Sequence, residues 1–320
     1  MSIIERAIQK LEPKSKPEQQ NATVVPAVNE KQKLEVKEPG PQASTPQASG
    51  SQHDPISSSP KDLLHLPLAR LSALGMVTPN APRSVIAEEY RAIKRPLLLN
   101  LKGEGASQVE HANLIMVASA LSGEGKTFSA INLAMSIAME QDKSVLFVDA
   151  DVSKASAGGL LGVPDAAPGL IDLLENKGMR FQDVVLKTNI PNLRILPAGN
   201  LHQRATELLA SQSMRALMLD ISQRYPDRVI VFDSPPLLLT TEARVLSNFM
   251  GQIVFVVAAE QTSQDAVIEA LQHLSSDSIV GMVLNKAQHK STGSYGFGYG
   301  YGYGYGYGGR YETKEEDAAK

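Results

Sequence analysis

The sequence predicts an α/β protein, a doubly wound and mostly parallel sheet with helices on both faces. Three observations carry that expectation. Short apolar runs between residues 84 and 288 are near-continuous rather than alternating, as strands buried on both faces read. Stretches of helical periodicity separate these runs, the order of repeated β-α-β units. The first run passes directly into a Gly-rich turn and an amphipathic helix, the junction at which such sheets bind ligands.

Taken in order, residues 1–12 place Ile3, Ile4, Ala7, Ile8 and Leu11 at helical spacing, and Pro13 closes the pattern. A short amphipathic helix is expected there, either a partner-docking element or a frayed leader. Residues 13–82 hold 11 of the 19 prolines among Ser, Gln, Ala and Thr, and read as a disordered tether. The later part of that tether, "LLHLPLARLSAL", is apolar enough to lie against a domain.

The folded domain is expected over residues 83–290. Its strands are "LIMVAS" (114–119), "SVLFVD" (144–149), "LRILPA" (193–198), "RVIVFD" (228–233), "IVFVVAA" (253–259) and "IVGMVLN" (279–285). About 200 residues suit one such domain. Residues 291–320 form a tail in which tyrosine alternates with glycine, a composition that cannot offset its ordering entropy by building a core.

Composition narrows the function. A formal net charge of -3 argues against nucleic acid as the main partner. The absence of cysteine removes disulfide frameworks and thiolate metal sites, and the 6 histidines show no ligand spacing. No apolar run reaches the roughly 20 residues that span a bilayer. The amino-terminal segment mixes charges into every turn, unlike a secretory leader. The expected location is the cytoplasm, with recruitment to the inner face of the membrane by a partner.

The chemistry concentrates at "ASALSGEGKTF" (118–128). Gly123 and Gly125 let backbone N–H groups turn inward and a phosphate approach closely. The helix that follows adds its N-terminal dipole, Lys126 a point charge, and Thr127 a hydroxyl ligand for Mg²⁺. Ala120 stands where the usual pattern opens with glycine, so a plain Gly-rich strand–helix turn is the bland alternative. Two strands then end in carboxylates. "LFVDAD" delivers Asp149 and Asp151, expected to share one strand face, and "VIVFDSPP" delivers Asp233. A lone strand-end aspartate caps a helix, whereas three beside one phosphate loop suit Mg²⁺ positioning and proton acceptance.

These segments resemble the bacterial tyrosine kinases, in the exopolysaccharide-associated autokinase subgroup. The likeness covers residues 84–311 and extends to "MSIIERAIQKL" and "AEEYRAIKRPLL". It implies a deviant-Walker P-loop fold using ATP and Mg²⁺. Ser122, Gly123, Glu124, Gly125, Lys126, Thr127 and Phe128 would form the nucleotide loop, with Asn285 at the adenine. Thr127, Asp151 and Asp233 would hold the metal, and Asp149 would act as base near the incoming tyrosine. The phosphoacceptors would be Tyr295, Tyr299, Tyr301, Tyr303, Tyr305, Tyr307 and Tyr311. Glu88, Arg91 and Lys94, on a helix expected to end before Pro96, would line an oligomer interface, with a solvated helix face as the alternative. Implied partners are a membrane-embedded polysaccharide co-polymerase, a protein-tyrosine phosphatase and further copies of the chain.

Val152-Ser153-Lys154 departs from the family's arginine after Asp-x-Asp, and a lysine replaces arginine only as a point charge. The competing reading is a partitioning or division-site switch ATPase. It lacks support at Leu121, where those proteins carry a signature lysine. A third is a nucleotide-gated binding module with aromatic stickers in its tail.

An autokinase explains the tail, because glycine gives reach and each tyrosine offers a hydroxyl. Phosphorylation adds about -1.5 to -2 charge per tyrosine. Acceptors two residues apart lie roughly 7 Å apart when extended. Two phosphates there repel by about 2.4 kcal/mol in water, and by about 1 kcal/mol after physiological screening. Partial and heterogeneous modification is the expectation.

Overall fold

The computed structural model describes residues 63–105, 109–224 and 227–287. In chain order these form β1 (Leu63–Leu64), α1 (Leu68–Ala73), α2 (Val85–Leu101), β2 (Leu114–Ser119), α3 (Lys126–Ala138), β3 (Ser144–Asp149), α4 (Ser156–Leu161), α5 (Leu170–Glu175), α6 (Phe181–Val184), β4 (Leu186–Thr188), β5 (Leu193–Leu196), α7 (Ala205–Leu209), α8 (Gln212–Arg224), β6 (Arg228–Asp233), α9 (Thr241–Ser247), β7 (Gln252–Ala258), α10 (Gln264–Leu271) and β8 (Ile279–Asn285). The helix expected over 1–12, the tether up to residue 62 and the tail 291–320 lie outside the described residues.

The strands build one sheet in the order β1-β4-β5-β3-β6-β2-β7-β8. Every pairing is parallel except β4 with β5. Successive residues of the central strands supply opposite cores, as a two-residue period requires. Val145 and Phe147 enter the core under α2 and α3, while Leu146 and Val148 enter the core under α5, α8 and α9. Continuous apolar strands thus do what the sequence expects of them, except β8, whose residues are half-buried or exposed. The short β1 and β4 were not legible, since two or three residues carry no periodic signal.

The amino-terminal boundary differs from the expectation. Residues 63–82, assigned to the tether, belong to the domain. Their β1 pairs with β4, and Leu66, Leu71, Met76 and Val77 are buried. Proline frequency marked this stretch as linker, while its apolar run, expected to be able to lie against a domain, does so and completes the core with Leu66, Leu71 and Met76. Asn132 of α3 fixes the return, accepting from the Val77 N–H at 2.6 Å and donating to the Phe128 carbonyl at 2.8 Å.

Two further expectations on α2 are corrected. The helix does not end before Pro96 but runs through it to Leu101. Pro96 forgoes one intrahelical bond, and burial of Leu97 with the packing of Leu98 and Leu101 keeps the helix going. Lys94 does not join Glu88 and Arg91 on a solvated stripe. Its Nζ donates to the Ser136 carbonyl at 2.6 Å and pairs with Glu140 at 2.6 Å. The last turn of α3 leaves carbonyls unsatisfied and carries partial negative charge, so a cation settles there. Glu88 and Arg91 stay at the surface, paired with each other, and Arg91 also donates to the Pro82 carbonyl.

Replacing Asn132 leaves the Val77 N–H buried without an acceptor, which costs about 1–3 kcal/mol. Asn132→Ala is therefore expected to lower the denaturant midpoint without changing the slope. An unchanged midpoint would show that residues 63–82 do not contribute to domain stability.

Candidate functional site

The site lies at the carboxyl ends of three adjacent strands, β3, β6 and β2, in the middle of the sheet. β2 is buried throughout and delivers the chain into the loop 120–125. Gly123 and Gly125 adopt left-handed φ of 83° and 100°, where a side chain is strained. A Cβ on Gly125 would also overlap the Asn285 amide. Gly125 caps α3 without a side chain, so the first N–H groups of the helix face the loop's concavity.

The loop is braced from behind. The Ser119 hydroxyl donates to the Leu121 carbonyl at 2.8 Å. The Leu121 N–H donates to Glu124 at 2.6 Å, and the Thr262 hydroxyl donates to the other Glu124 oxygen. Asn285 donates to the Glu124 carbonyl at 2.8 Å, and Lys286 Nζ donates to the Gly123 carbonyl at 2.7 Å. Two of the residues expected at the nucleotide thus brace the loop. The Glu124 carboxylate is buried and holds the loop's shape, and the Asn285 amide faces the loop backbone. The Phe128 ring packs on the core, so only its backbone faces the loop. Ser122 and Gly123 are exposed at the loop's rim.

Lys126 is buried, with its Nζ 3.5 Å from Asp151 Oδ2. Asp149 ends β3 and stands beside Asp233 at the end of β6, the two being register partners. Asp151 does not share a strand face with Asp149 as expected, because β3 stops at Asp149. It sits in the turn that follows, where the Ser153 hydroxyl at 2.8 Å and the Lys154 N–H at 3.3 Å hold Asp151 Oδ1. The Ser153 that replaces the expected basic residue thus orients a site carboxylate, while Lys154 is exposed.

The two strand-end carboxylates are short of partners. Asp149 accepts from the Gly158 N–H at 3.3 Å through Oδ2, with the Asp151 N–H near, and Asp233 has no well-formed hydrogen bond, its nearest donor being the Thr127 hydroxyl. Burial pushes Asp149 up to about 7, opposed by the Gly158 N–H and helped by the charge of Asp151. Burial and then the charge of Asp149 push Asp233 up to about 8. Orphaned buried carboxylate oxygens mark a place where a cation completes the structure. The donors are all oxygens, with the Thr127 hydroxyl at the loop, and suit a hard divalent ion. Among the described residues no three acidic or histidine side chains converge into a closed cage. Mg²⁺ needs no such cage, since it keeps several waters and binds through one or two carboxylates beside phosphate oxygens. The Ser156 hydroxyl lies 3.5 Å from that of Thr127 and was not singled out from sequence, since a lone serine carries no signal.

Beside Asp151 a cleft of about 330 Å³ opens, lined by Val152, Ser153, His202, Thr206 and Glu242 among others. His202 is held by Glu175 at 2.9 Å.

A glycine loop at a helix N-terminus, a buried lysine and strand-end carboxylates define a P-loop nucleotide-binding protein. The AAA domain family model matches residues 112–276, just over half of the chain, and the chain belongs to that family. Within it the kinship is with bacterial tyrosine kinases. Tyrosine-protein kinase YwqD of Bacillus subtilis is 28% identical over 218 residues, covering 68% of this chain and 87% of that protein. Tyrosine-protein kinase wzc of Salmonella typhi is 31% identical over 189 residues, which are 58% of this chain and 26% of that much longer protein. The kinase domain of Escherichia coli tyrosine kinase ETK superposes with a TM-score of 0.58 at 26% identity, covering 70% of this chain and 84% of that one.

Asp233 holds its proton in the folded chain at pH values where an unfolded aspartate, with a pKa near 3.9, has released it. Stability from that proton is complete below about pH 4 and is lost as pH rises through about 8. The metal-free protein is therefore expected to melt at lower temperature at pH 9 than at pH 6. Asp233→Asn should remove most of that difference in thermal scans made with chelator, and an equal slope in both proteins would contradict the assignment.

Proposed function

We propose that the chain is an ATP-dependent protein-tyrosine kinase that phosphorylates its own tyrosine cluster, Tyr295 to Tyr311, in trans within an oligomer. One observation carries the reading. Buried Lys126 and the carboxylates of Asp149, Asp151 and Asp233 meet at the mouth of a phosphate loop, in a chain whose relatives are named tyrosine-protein kinases.

The loop N–H groups and Lys126 bind the β- and γ-phosphates of ATP. Thr127 with Asp151 and Asp233 would hold Mg²⁺, which would supply neutralising charge for the phosphate oxygens. An acceptor tyrosine enters from the cleft beside Asp151. Its phenolic oxygen bonds to the γ-phosphorus as the bond to the β-bridging oxygen breaks, and ADP leaves. The phenolic proton passes to Asp149, whose free Oδ1 and pKa of about 7 suit a base working near neutral pH.

Glycine on both sides of most acceptors lets the tail enter a neighbouring site in many registers. Glu88 and Arg91 remain available at the surface of α2 for the oligomer, while Lys94 acts inside its own subunit. The activator is a membrane-embedded polysaccharide co-polymerase, which recruits the kinase to the inner face of the membrane, and a protein-tyrosine phosphatase resets the tail. No helix among the described residues is long and apolar enough to cross a membrane. The process served is exopolysaccharide assembly and export.

Lys126→Met is expected to retain the fold and lose tyrosine phosphorylation by at least a hundredfold in radiolabelled ATP assays. Continued labelling by the pure variant would remove the site from the mechanism. Replacing all seven tail tyrosines by Phe should abolish most autophosphorylation and leave nucleotide affinity unchanged. Equal phosphate incorporation by that variant would move the acceptors elsewhere. Intact-mass spectra of the native chain should show a ladder of partly phosphorylated species, and a single fully loaded species would contradict the repulsion between neighbouring phosphates.

A further inference from the structure

β8 is an edge strand whose outer surface is unusual for an edge. Among the described residues its one sheet neighbour is β7, so its other side offers a row of backbone N–H and C=O groups. Val280, Met282 and Leu284 alternate along it and are 37, 52 and 65% exposed. They continue the face of Ile253, Phe255 and Val257, their register partners on β7, beyond the cover that α10 provides. Edges of this kind are ordinarily blunted by charge, proline or a bulge. Here the side chains form an apolar ridge instead.

The segment that fits this edge is the next one in the chain. Tyr295, Phe297, Tyr299, Tyr301, Tyr303, Tyr305 and Tyr307 recur every second residue with glycine between them. That is the period of a strand, and it puts every ring on one face and every glycine on the other. Nine residues, 286–294, separate β8 from Tyr295. That length allows an antiparallel return and is too short for the dozen or more residues that a parallel crossover needs. Lys286, the first residue after β8, has a left-handed φ of 58°, so the chain turns as it leaves the strand. Aromatic rings opposite aliphatic side chains are favourable cross-strand pairs.

We propose that, before phosphorylation, the Tyr295–Tyr307 segment of the same chain adds to β8 as an antiparallel strand, laying its rings over Val280, Met282 and Leu284. Glycine at alternate positions weakens a strand, so the docked state is reversible. Rings held on the edge are withheld from a neighbour's active site. Each phosphate added to a ring would place a dianion against an apolar face and release the segment. The release step rests on the proposed kinase activity, whereas the docking does not.

Hydrogen exchange of the full-length, unmodified chain without nucleotide tests the docking. The β8 amides are expected to exchange at least tenfold more slowly in the native chain than in a full-length variant with Tyr295, Phe297, Tyr299, Tyr301 and Tyr303 changed to Ser. Equal rates would overturn the proposal. Because the chain has no cysteine, Met282→Cys combined singly with Tyr299→Cys, Tyr301→Cys or Tyr303→Cys gives a clean disulfide trap. An intramolecular bridge in one register supports the same-chain strand. Bridges found only in dimers would overturn it in favour of a second copy's tail. After incubation with Mg²⁺ and ATP, phosphorylated chains should lose the β8 protection, and retained protection would overturn the release step. Absence of any incorporated phosphate would instead remove the kinase reading and leave the docking result intact.

Discussion

Four ionisable side chains share one small volume at the carboxyl edge of the sheet, and the rest of the site depends on how that burial is tolerated. Lys126, Asp149, Asp151 and Asp233 are each at most 6% exposed. Removing a charge from water is costly unless a partner replaces the hydration. Asp151 has its partners in Lys126, Ser153 and the Lys154 N–H. Asp149 and Asp233 stand side by side with three oxygens unpartnered, and the protonated forms are favoured there. An arrangement of this kind is incomplete by itself. A metal-bound polyphosphate would supply both the cation that the carboxylates lack and the anion that the lysine and loop amides face.

Such a site must not collapse to satisfy itself. Strand ends prevent it, because β3, β6 and β2 are neighbours whose ladders fix the carboxylates in register. The loop is kept open by contacts on its far side, from Glu124, Thr262, Asn285 and Lys286. Two of these, Asn285 and Lys286, lie at the carboxyl end of β8, so this edge strand ends directly beside the phosphate loop.

Polar contacts tie the layers of the amino-terminal face together. Residues 63–82 and α2 cover the core beneath α3, with Asn132 and Lys94 joining the layers through polar contacts. Lys94 and Arg91 look equivalent three residues apart, yet one neutralises the end of a helix and the other stays at the surface. The chemical difference between them is set by what stands opposite, not by residue type.

How much of this was legible in the sequence follows from the range of each signal. Local signals determined the parallel α/β class, the six long strands, the phosphate loop and the three aspartates, since each is written in consecutive residues. Near-continuous apolar runs mean burial on both faces, and glycines before lysine and threonine mean a phosphate turn. Only the tertiary structure decided which groups meet. It drew residues 63–82 into the domain, carried α2 through Pro96, and turned Lys94 inward. It also gave Glu124 and Asn285 to the bracing of the loop and Ser153 to Asp151. The physical reason is common to all of these: burial and hydrogen-bond satisfaction depend on neighbours distant in the chain, as with Asn132 and Val77 or Asn285 and Glu124, and composition holds no record of them.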